Sequence, residues 1–197
     1  MIQIYAICNA QTLTKRGISL FDFLEIIKKL STKYDIKYIQ YRDKISDLET
    51  QKNNLSLLKS NTNIPIIIND RIELLEFADG IHFGQEDLEK LKNETFKIKD
   101  ETLLFRFLRK KYPHKIFGLS THNELEILRA NNLPLDYIGL GAYRNTNTKE
   151  VSTILGEKIS YLAKISKHPV GAIGGVLICD DIQNISYNVV SGDLYEN

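Results

Sequence analysis

The fold class this sequence predicts is α/β: a single (β/α)8 TIM barrel domain over residues 1–197, compact, with a reduced C-terminal helix. Three observations carry that expectation. About eight short apolar runs alternate with stretches of helical character. Polar residues follow nearly every apolar run instead of clustering at one crossover. No Gly-x-Gly-x-x-Gly follows the first run, which argues against an open doubly wound sheet, the other arrangement that this alternation fits.

The elements read in order as follows. Ile2 to Cys8 is a short apolar strand, and Asn9 to Gly17 is polar and loop-like. Ser19 has the character of an N-cap before the helical stripe Leu20, Phe21, Leu24, Ile27 and Leu30. Ile36 to Tyr41 is a strand that ends in Arg42, Asp43 and Lys44. A helix with the sparse apolar face Leu48, Leu55 and Leu58 runs from about Ser46 to Lys59. Ile66, Ile67 and Ile68 are β-branched and stiff, which favours a buried strand, and Asn69 and Asp70 follow at once. Glu73 to Ala78 makes a short helix. Gly80 to Phe83 is the next strand, stopping at Gly84, Gln85, Glu86 and Asp87. Leu88 to Pro113 is rich in Lys and Glu, with a helix at about Glu101 to Tyr112. Ile116 to Leu119 is a strand ending in Ser120, Thr121 and His122. Glu124 to Ala130 is a helix, terminated by Asn131 and Asn132. Tyr137 to Gly141 is a strand ending in the polar loop Arg144 to Lys149. Helices at Gly156 to Lys167 and Asp180 to Ile185 flank the strand Val170 to Ile173 and its Gly174-Gly175. The last strand, Tyr187 to Val190, ends in Ser191 and Gly192. Only Asp193 to Asn197 remain for an eighth helix, so that seam is expected to be open or covered by a second copy in a homodimer.

Composition narrows the function classes. An apolar content of 43%, with 26% charged residues, is ordinary for a globular protein. A net charge of +1 argues against a general nucleic-acid surface. No apolar run approaches the ~20 residues of a membrane span. The N-terminal stretch lacks the basic start and cleavage site of a signal peptide. Cys8 and Cys179 have no zinc spacing and read as reduced, so the cytoplasm is the expected location.

The chemistry is expected at the strand ends. Asp70 and Asp87 end neighbouring strands. Two carboxylates suit a hard cation such as Mg2+, which takes its other ligands from water and phosphate. Alternatively, one caps a helix and the other is solvated. Arg42, Lys44 and Lys149 are cations at other strand ends, suited to phosphate or to solvent. Gly174-Gly175 and Val190-Ser191-Gly192 follow the seventh and eighth strands, where barrels often bind phosphate through backbone N–H groups. Thr146 and Thr148 offer hydroxyls, in a run that is also good turn composition. His122 could serve as an acid/base or simply sit near a helix N-terminus. His82, inside an apolar strand, reads as structural. Gln40 shares a face with Arg42 and could reach a heterocycle.

Taken in order, several phrases resemble the thiamine-phosphate synthase and thiazole tautomerase superfamily. They are Ile39-Gln40-Tyr41-Arg42-Asp43-Lys44, Ile68-Asn69-Asp70-Arg71, Gly80-Ile81-His82-Phe83-Gly84-Gln85-Glu86-Asp87, Gly118-Leu119-Ser120-Thr121-His122, Asp136-Tyr137-Ile138-Gly139-Leu140-Gly141, Thr146-Asn147-Thr148-Lys149, Ala172-Ile173-Gly174-Gly175 and Val189-Val190-Ser191. The resemblance implies an enzyme of thiamine biosynthesis that joins an aminopyrimidine pyrophosphate to a thiazole phosphate and releases pyrophosphate. It implies that Gln40 contacts the pyrimidine, and that Arg42, Lys44, Asn69, Ser120 and Lys149 bind the pyrophosphate. Asp70 and Asp87 would hold Mg2+. Thr146, Thr148, Gly175, Val190 and Ser191 would bind the thiazole's phosphate. The candidate catalytic residues are Lys149, Ser120 and His122. The chain departs from the family at Ala142-Tyr143-Arg144-Asn145, where an apolar, proline-containing phrase is usual. Two further readings remain at this point: a tautomerase using His122 for proton transfer, and a non-catalytic protein that binds a phosphate ligand.

Overall fold

The computed structural model describes residues 3–145 and 153–196. Within them eight parallel strands close into a barrel in chain order. The strands are β1 (Gln3–Asn9), β2 (Asp35–Arg42), β3 (Ile66–Asn69), β4 (Gly80–Phe83), β5 (Ile116–Thr121), β6 (Tyr137–Gly141), β7 (Val170–Ile173) and β8 (Tyr187–Val190). Closure is direct, because β1 pairs with β2 on one side and with β8 on the other, Gln3 facing Tyr187 and Ala6 facing Val190. The seam left by the short eighth helix, expected to be open or covered by a second copy, is shut at the level of the strands. Outside it, a short 3-10 turn (Gly192–Tyr195) buries Leu194, and Arg16 reaches Glu196 at 2.7 Å.

The helices are α1 (Ala10–Arg16), α2 (Leu20–Leu30), α3 (Leu48–Asn61), α4 (Gln85–Lys90), α5 (Glu101–Lys111), α6 (Glu124–Ala130) and α7 (Lys158–Ala163). Residue chemistry sets their ends. Ser19 and Asp22 form a full capping box at α2, while Asp47, Asp100 and Asn123 cap α3, α5 and α6. None of these helices is long and apolar enough to cross a membrane, among the described residues.

Three expectations about local structure are corrected, and a fourth region is filled in. The polar stretch after β1 is helix α1, not loop. Asn9 Oδ1 accepts from Thr12 N–H at 3.0 Å, and Gly17 ends the helix at φ +66°. Its single buried anchor, Leu13, leaves no periodicity to read. Residues 180–185 are not helical; they run along the outside of the barrel, tethered by Asn188 Nδ2 to the Asp180 carbonyl at 2.7 Å. The region after Asp87 holds α4 and a π-helical turn (Leu91–Thr95) ahead of α5. α7 is also shorter than expected at both ends.

Two apolar layers result. The larger lies between strands and helices, and includes Phe23, Leu55, Leu75, Phe105 and Ile159. The smaller fills the barrel itself: Tyr5, Ile7, Tyr38, Ile67, Tyr137, Tyr187 and Val189. Branched aliphatics dominate the interior of most such barrels; here four tyrosines occupy it. Tyr38 stacks on Tyr137 at 5.6 Å between ring centroids, and Tyr5 meets both edge-on at 5.4 and 5.5 Å. Gly118 makes room for them, since a Cβ there would stand 2.1 Å from Tyr137 Cζ.

Candidate active site at the barrel mouth

Parallel strands in register bring their C-terminal ends to one rim. Asn9 pairs with Arg42, Asn69 with His82, and Gly141 with Ile173. The site grows from β3 and β4. Asp70 leaves β3 with φ +61°, a left-handed conformation that Asp tolerates better than most residues. That turn aims its carboxylate across to β4, where Oδ1 accepts the Gly84 N–H at 2.7 Å. Oδ2 takes Lys44 Nζ and the Asn69 amide. Asp87, in the first turn of α4, lies 3.7 Å from the same Lys44 Nζ.

Gly84 stands between the two carboxylates. A Cβ built there would rest 3.4 Å from Asp87 Oδ2 and 3.5 Å from Asp70 Oδ1, so the glycine leaves open the space at which both oxygens converge. Burial works to raise Asp70, but Lys44 and the Gly84 N–H outweigh it and hold the carboxyl below the usual range. Burial and then the charge of Asp70 push Asp87 up. One carboxylate is thus satisfied and its neighbour is held at a cost that a cation would relieve. Among the described residues no third acidic, His or Cys ligand joins them. Two carboxylates with room for water and phosphate is the donor set Mg2+ prefers over an all-protein cage, so these residues fit that ion.

Beside this pair, a cavity of about 320 Å3 is lined by Asn9, Thr12, Lys15, Arg42 and Lys44. Gln40 points into the barrel, with Nε2 on Tyr5 OH at 2.8 Å. Ser120, at the end of β5, places Oγ 2.9 Å from His82 Nε2, and its carbonyl takes the Gln85 amide. Arg129 in turn holds Gln85. His82 is satisfied at both ring nitrogens, as Nδ1 lies 3.1 Å from Tyr137 OH. His122, just past β5, turns to Glu126, with Nδ1 2.9 Å from Oε2.

On the opposite side, Gly174 and Gly175 have φ +85° and +64°. The Gly174 turn packs so closely on the loop after β6 that a Cβ would meet that of Ala142 at 2.5 Å. The divergent loop continues the β6–β7 ladder, with Tyr143 N–H on the Ile173 carbonyl and Arg144 N–H on that of Gly174, both at 2.8 Å. Arg144 then clamps Asp180 at 2.6 Å and lies 4.3 Å from the Tyr143 ring centre. Val190 turns its side chain into the outer core, which leaves its main chain for the rim. Ser191 Oγ is buried and has no hydrogen-bond partner among the described residues. Thr146, Thr148 and Lys149 lie outside the described residues.

The rim thus brings together Gln40, Arg42, Lys44, Asn69, Asp70, Asp87 and Ser120 on one side, and Gly175, Val190 and Ser191 on the other. Sequence reasoning passed over Tyr5, Tyr137, Gln85 and Gly84. The signal for the tyrosines was present in Gly118 and Gly139, small residues on β5 and β6 opposite the bulky rings of the barrel interior.

Comparison with known proteins agrees with this arrangement. The protein of Persephonella marina described as thiamine-phosphate synthase is 38% identical over 144 residues, which is 70% of this chain and 62% of the relative. The Methanobrevibacter smithii protein of the same description is 35% identical over 160 residues, 78% of this chain and 69% of the relative. That of Clostridium acetobutylicum is 31% identical over 180 residues, 88% and 76%. The chain therefore spans less than two thirds of the first of these relatives. Among solved structures, the thiamine phosphate pyrophosphorylase of Pyrococcus furiosus superposes with a TM-score of 0.61 at 21% identity, over 89% of this chain and 76% of that one, a likeness of fold. The sequence profile described as thiamine monophosphate synthase matches residues 4–188, from the first strand into the last, and the chain belongs to that family.

Proposed function

We propose that the chain is a transferase of thiamine biosynthesis, joining an aminopyrimidine pyrophosphate to a thiazole phosphate with release of pyrophosphate and with Mg2+ at Asp70 and Asp87. The observation that carries this reading is the convergence of the Asp70 and Asp87 carboxylates at Gly84, with Lys44 bridging them. An isomerase acting on a thiazole alone would have no use for such a charge-dense corner.

In the proposed reaction, the bond from the pyrimidine methylene carbon to the pyrophosphate oxygen breaks, and the oxygen keeps the electron pair. The thiazole nitrogen then donates its lone pair to the carbon. No protein nucleophile is required; the protein's work is to neutralise the leaving group and align the partners. Bound Mg2+ would contribute positive charge at the leaving pyrophosphate. Arg42 and Lys44 act on the same charge, Arg through paired N–H donors and Lys as a point charge. Asn69 and Ser120 supply neutral donors. Gln40 meets the pyrimidine from β2. The glycine turn after β7, with its positive φ at Gly174 and Gly175, and Ser191 at the end of β8 are the groups proposed for the phosphate of the thiazole; Thr146, Thr148 and Lys149, which the family resemblance adds to the two anion sites, lie outside the described residues.

The test is direct. Incubation with both substrates and Mg2+ is expected to yield thiamine phosphate and pyrophosphate in equal amounts. Asp87→Ala or a chelator is expected to lower the rate by about 100-fold or more, as for loss of an electrostatic stabiliser worth ~3 kcal/mol. Unchanged coupling in Asp87→Ala would end the metal assignment. Conversion of a thiazole carboxylate tautomer without coupling would move the function to the isomerase.

A further inference from the structure

Five polar side chains from five strands form one unbroken line of hydrogen bonds across the barrel. Gln40 Nε2 donates to Tyr5 OH at 2.8 Å, and Tyr5 OH lies 2.8 Å from Tyr137 OH. Tyr137 OH is 3.1 Å from His82 Nδ1, and His82 Nε2 is 2.9 Å from Ser120 Oγ. Tyr5 and Tyr137 are about 1% exposed, so neither can turn to solvent. Burial pushes both phenols up, and each stays a neutral O–H.

The protons in such a line have a direction. The Tyr5 oxygen already accepts from Gln40, so the Tyr5 proton goes to Tyr137. With His82 neutral, the Tyr137 proton goes to Nδ1 and the imidazole carries its own proton on Nε2, facing Ser120. Ser120 accepts there, which leaves its hydroxyl proton to leave the line. At the far end Gln40 commits one of its two amide N–H groups to Tyr5, which fixes the sense of the amide and sets Oε1 on the side away from that bond. We propose that Tyr5, Tyr137 and His82 are positioning residues, forming a polarised relay that couples the amide orientation of Gln40 to the donor character of Ser120. With the amide so oriented, Oε1 of Gln40 is the acceptor at one end and the Ser120 hydroxyl the donor at the other. Reversing either end requires a flip of Gln40 and a move of every proton between. A ring that offers a donor toward β2 and an acceptor toward β5 fits this pattern, as an aminopyrimidine does with its exocyclic amine and ring nitrogens. The oxo analogue, with a carbonyl and a ring N–H, presents the opposite one. The choice of ring, though not the relay itself, rests on the coupling reaction proposed above.

Two measurements test this. In 15N-histidine-labelled protein without substrate, the His82 ring, identified by its loss in His82→Gln, is expected as the neutral Nε2–H tautomer. Tyr137→Phe is expected to shift it toward a tautomer mixture, because Nδ1 loses its donor while the ring packing is kept. Tyr38→Phe, altered in a ring that stacks on Tyr137 outside the line, is expected to leave it unchanged. In the second measurement, 4-amino-2-methylpyrimidine is titrated against 2-methylpyrimidin-4-one. The native protein is expected to favour the amine by about tenfold, the worth of one net hydrogen bond, and Tyr5→Phe and Tyr137→Phe to erase most of that preference. An Nδ1–H or doubly protonated His82 in the native protein would overturn the relay. So would a Tyr137→Phe variant that is folded by thermal melt and keeps both tautomer and preference. Should neither ring bind while the tautomer is as expected, the coupling reaction is at fault and the relay stands.

Discussion

Ser191 illustrates how a single side chain reveals its purpose by what it lacks. A buried hydroxyl without a partner costs ~1–3 kcal/mol, and nothing among the described residues returns that cost at Oγ. Ser191→Ala is expected to leave the melting temperature unchanged or slightly raised, while KM for the thiazole phosphate increases several-fold; a fall in stability with unchanged KM would assign the hydroxyl to the fold. At this scale the sequence was informative where a residue ends a strand. Asp70, Ser120 and Ser191 stand out because each follows an apolar run at once or after one polar residue, and Asp87 because it closes the short polar phrase after the next strand. The link from Lys44 to Asp70 was not legible, since it depends on the left-handed turn at Asp70. Tyr5 and Tyr137 were hidden for another reason: a tyrosine in a strand is ordinary, and only strand register shows which rings meet.

At the scale of elements, the turn from β2 into α3 depends on one carboxylate. Asp43 is 3% exposed, and its Oδ1 accepts the N–H groups of Ile45 and Ser46, both at 3.0 Å, with Tyr41 OH on Oδ2 at the same distance. Burial would raise this group, yet those hydrogen bonds outweigh it and hold it at about 2. An unfolded Asp titrates near ~3.9. The folded value is the lower, so the contribution is fully present above about pH 4 and is lost as pH falls toward about 2. Asp43→Asn is expected to destabilise by ~1–2 kcal/mol at neutral pH and to flatten the dependence of melting temperature on pH in that window. Thermal melts of both forms at several pH values would check it. Helix α2 was legible because Ser19, Asp22 and a full apolar stripe agree. Helices α1 and α4 were not, because Leu13 and Leu88 are their single buried anchors and one apolar residue has no period. The irregular, turn-rich segment before β8 was misread as a helix; long-range tethers at Asp180 and Asn188 outweigh its local propensity.

For the whole molecule, the barrel was legible from the alternation of elements, the polar strand ends and the missing glycine motif, but what covers the seam between its last and first strands was not. Whether β8 returns to β1 depends on pairing between residues about as far apart as the chain allows. That pairing also makes stability collective. Removing residues 187–197 would leave the edges of β1 and β7 unpaired and expose the tyrosine layer. Such a chain is expected to lose its cooperative urea transition, and a native-like transition in it would show that the remaining strands hold together without closure.

The tyrosine layer has one more consequence. The chain contains no tryptophan among its ten tyrosines and eight phenylalanines, so its near-ultraviolet absorption is essentially that of tyrosine. Four of those rings sit within 6.3 Å of a neighbour inside the barrel, in fixed and mostly perpendicular orientations. Their asymmetric setting makes near-ultraviolet circular dichroism an intrinsic gauge of this interior, without any introduced label. The ring that stacks on His82 belongs to that group, so the optical signal of the native protein originates in the layer directly beneath the mouth.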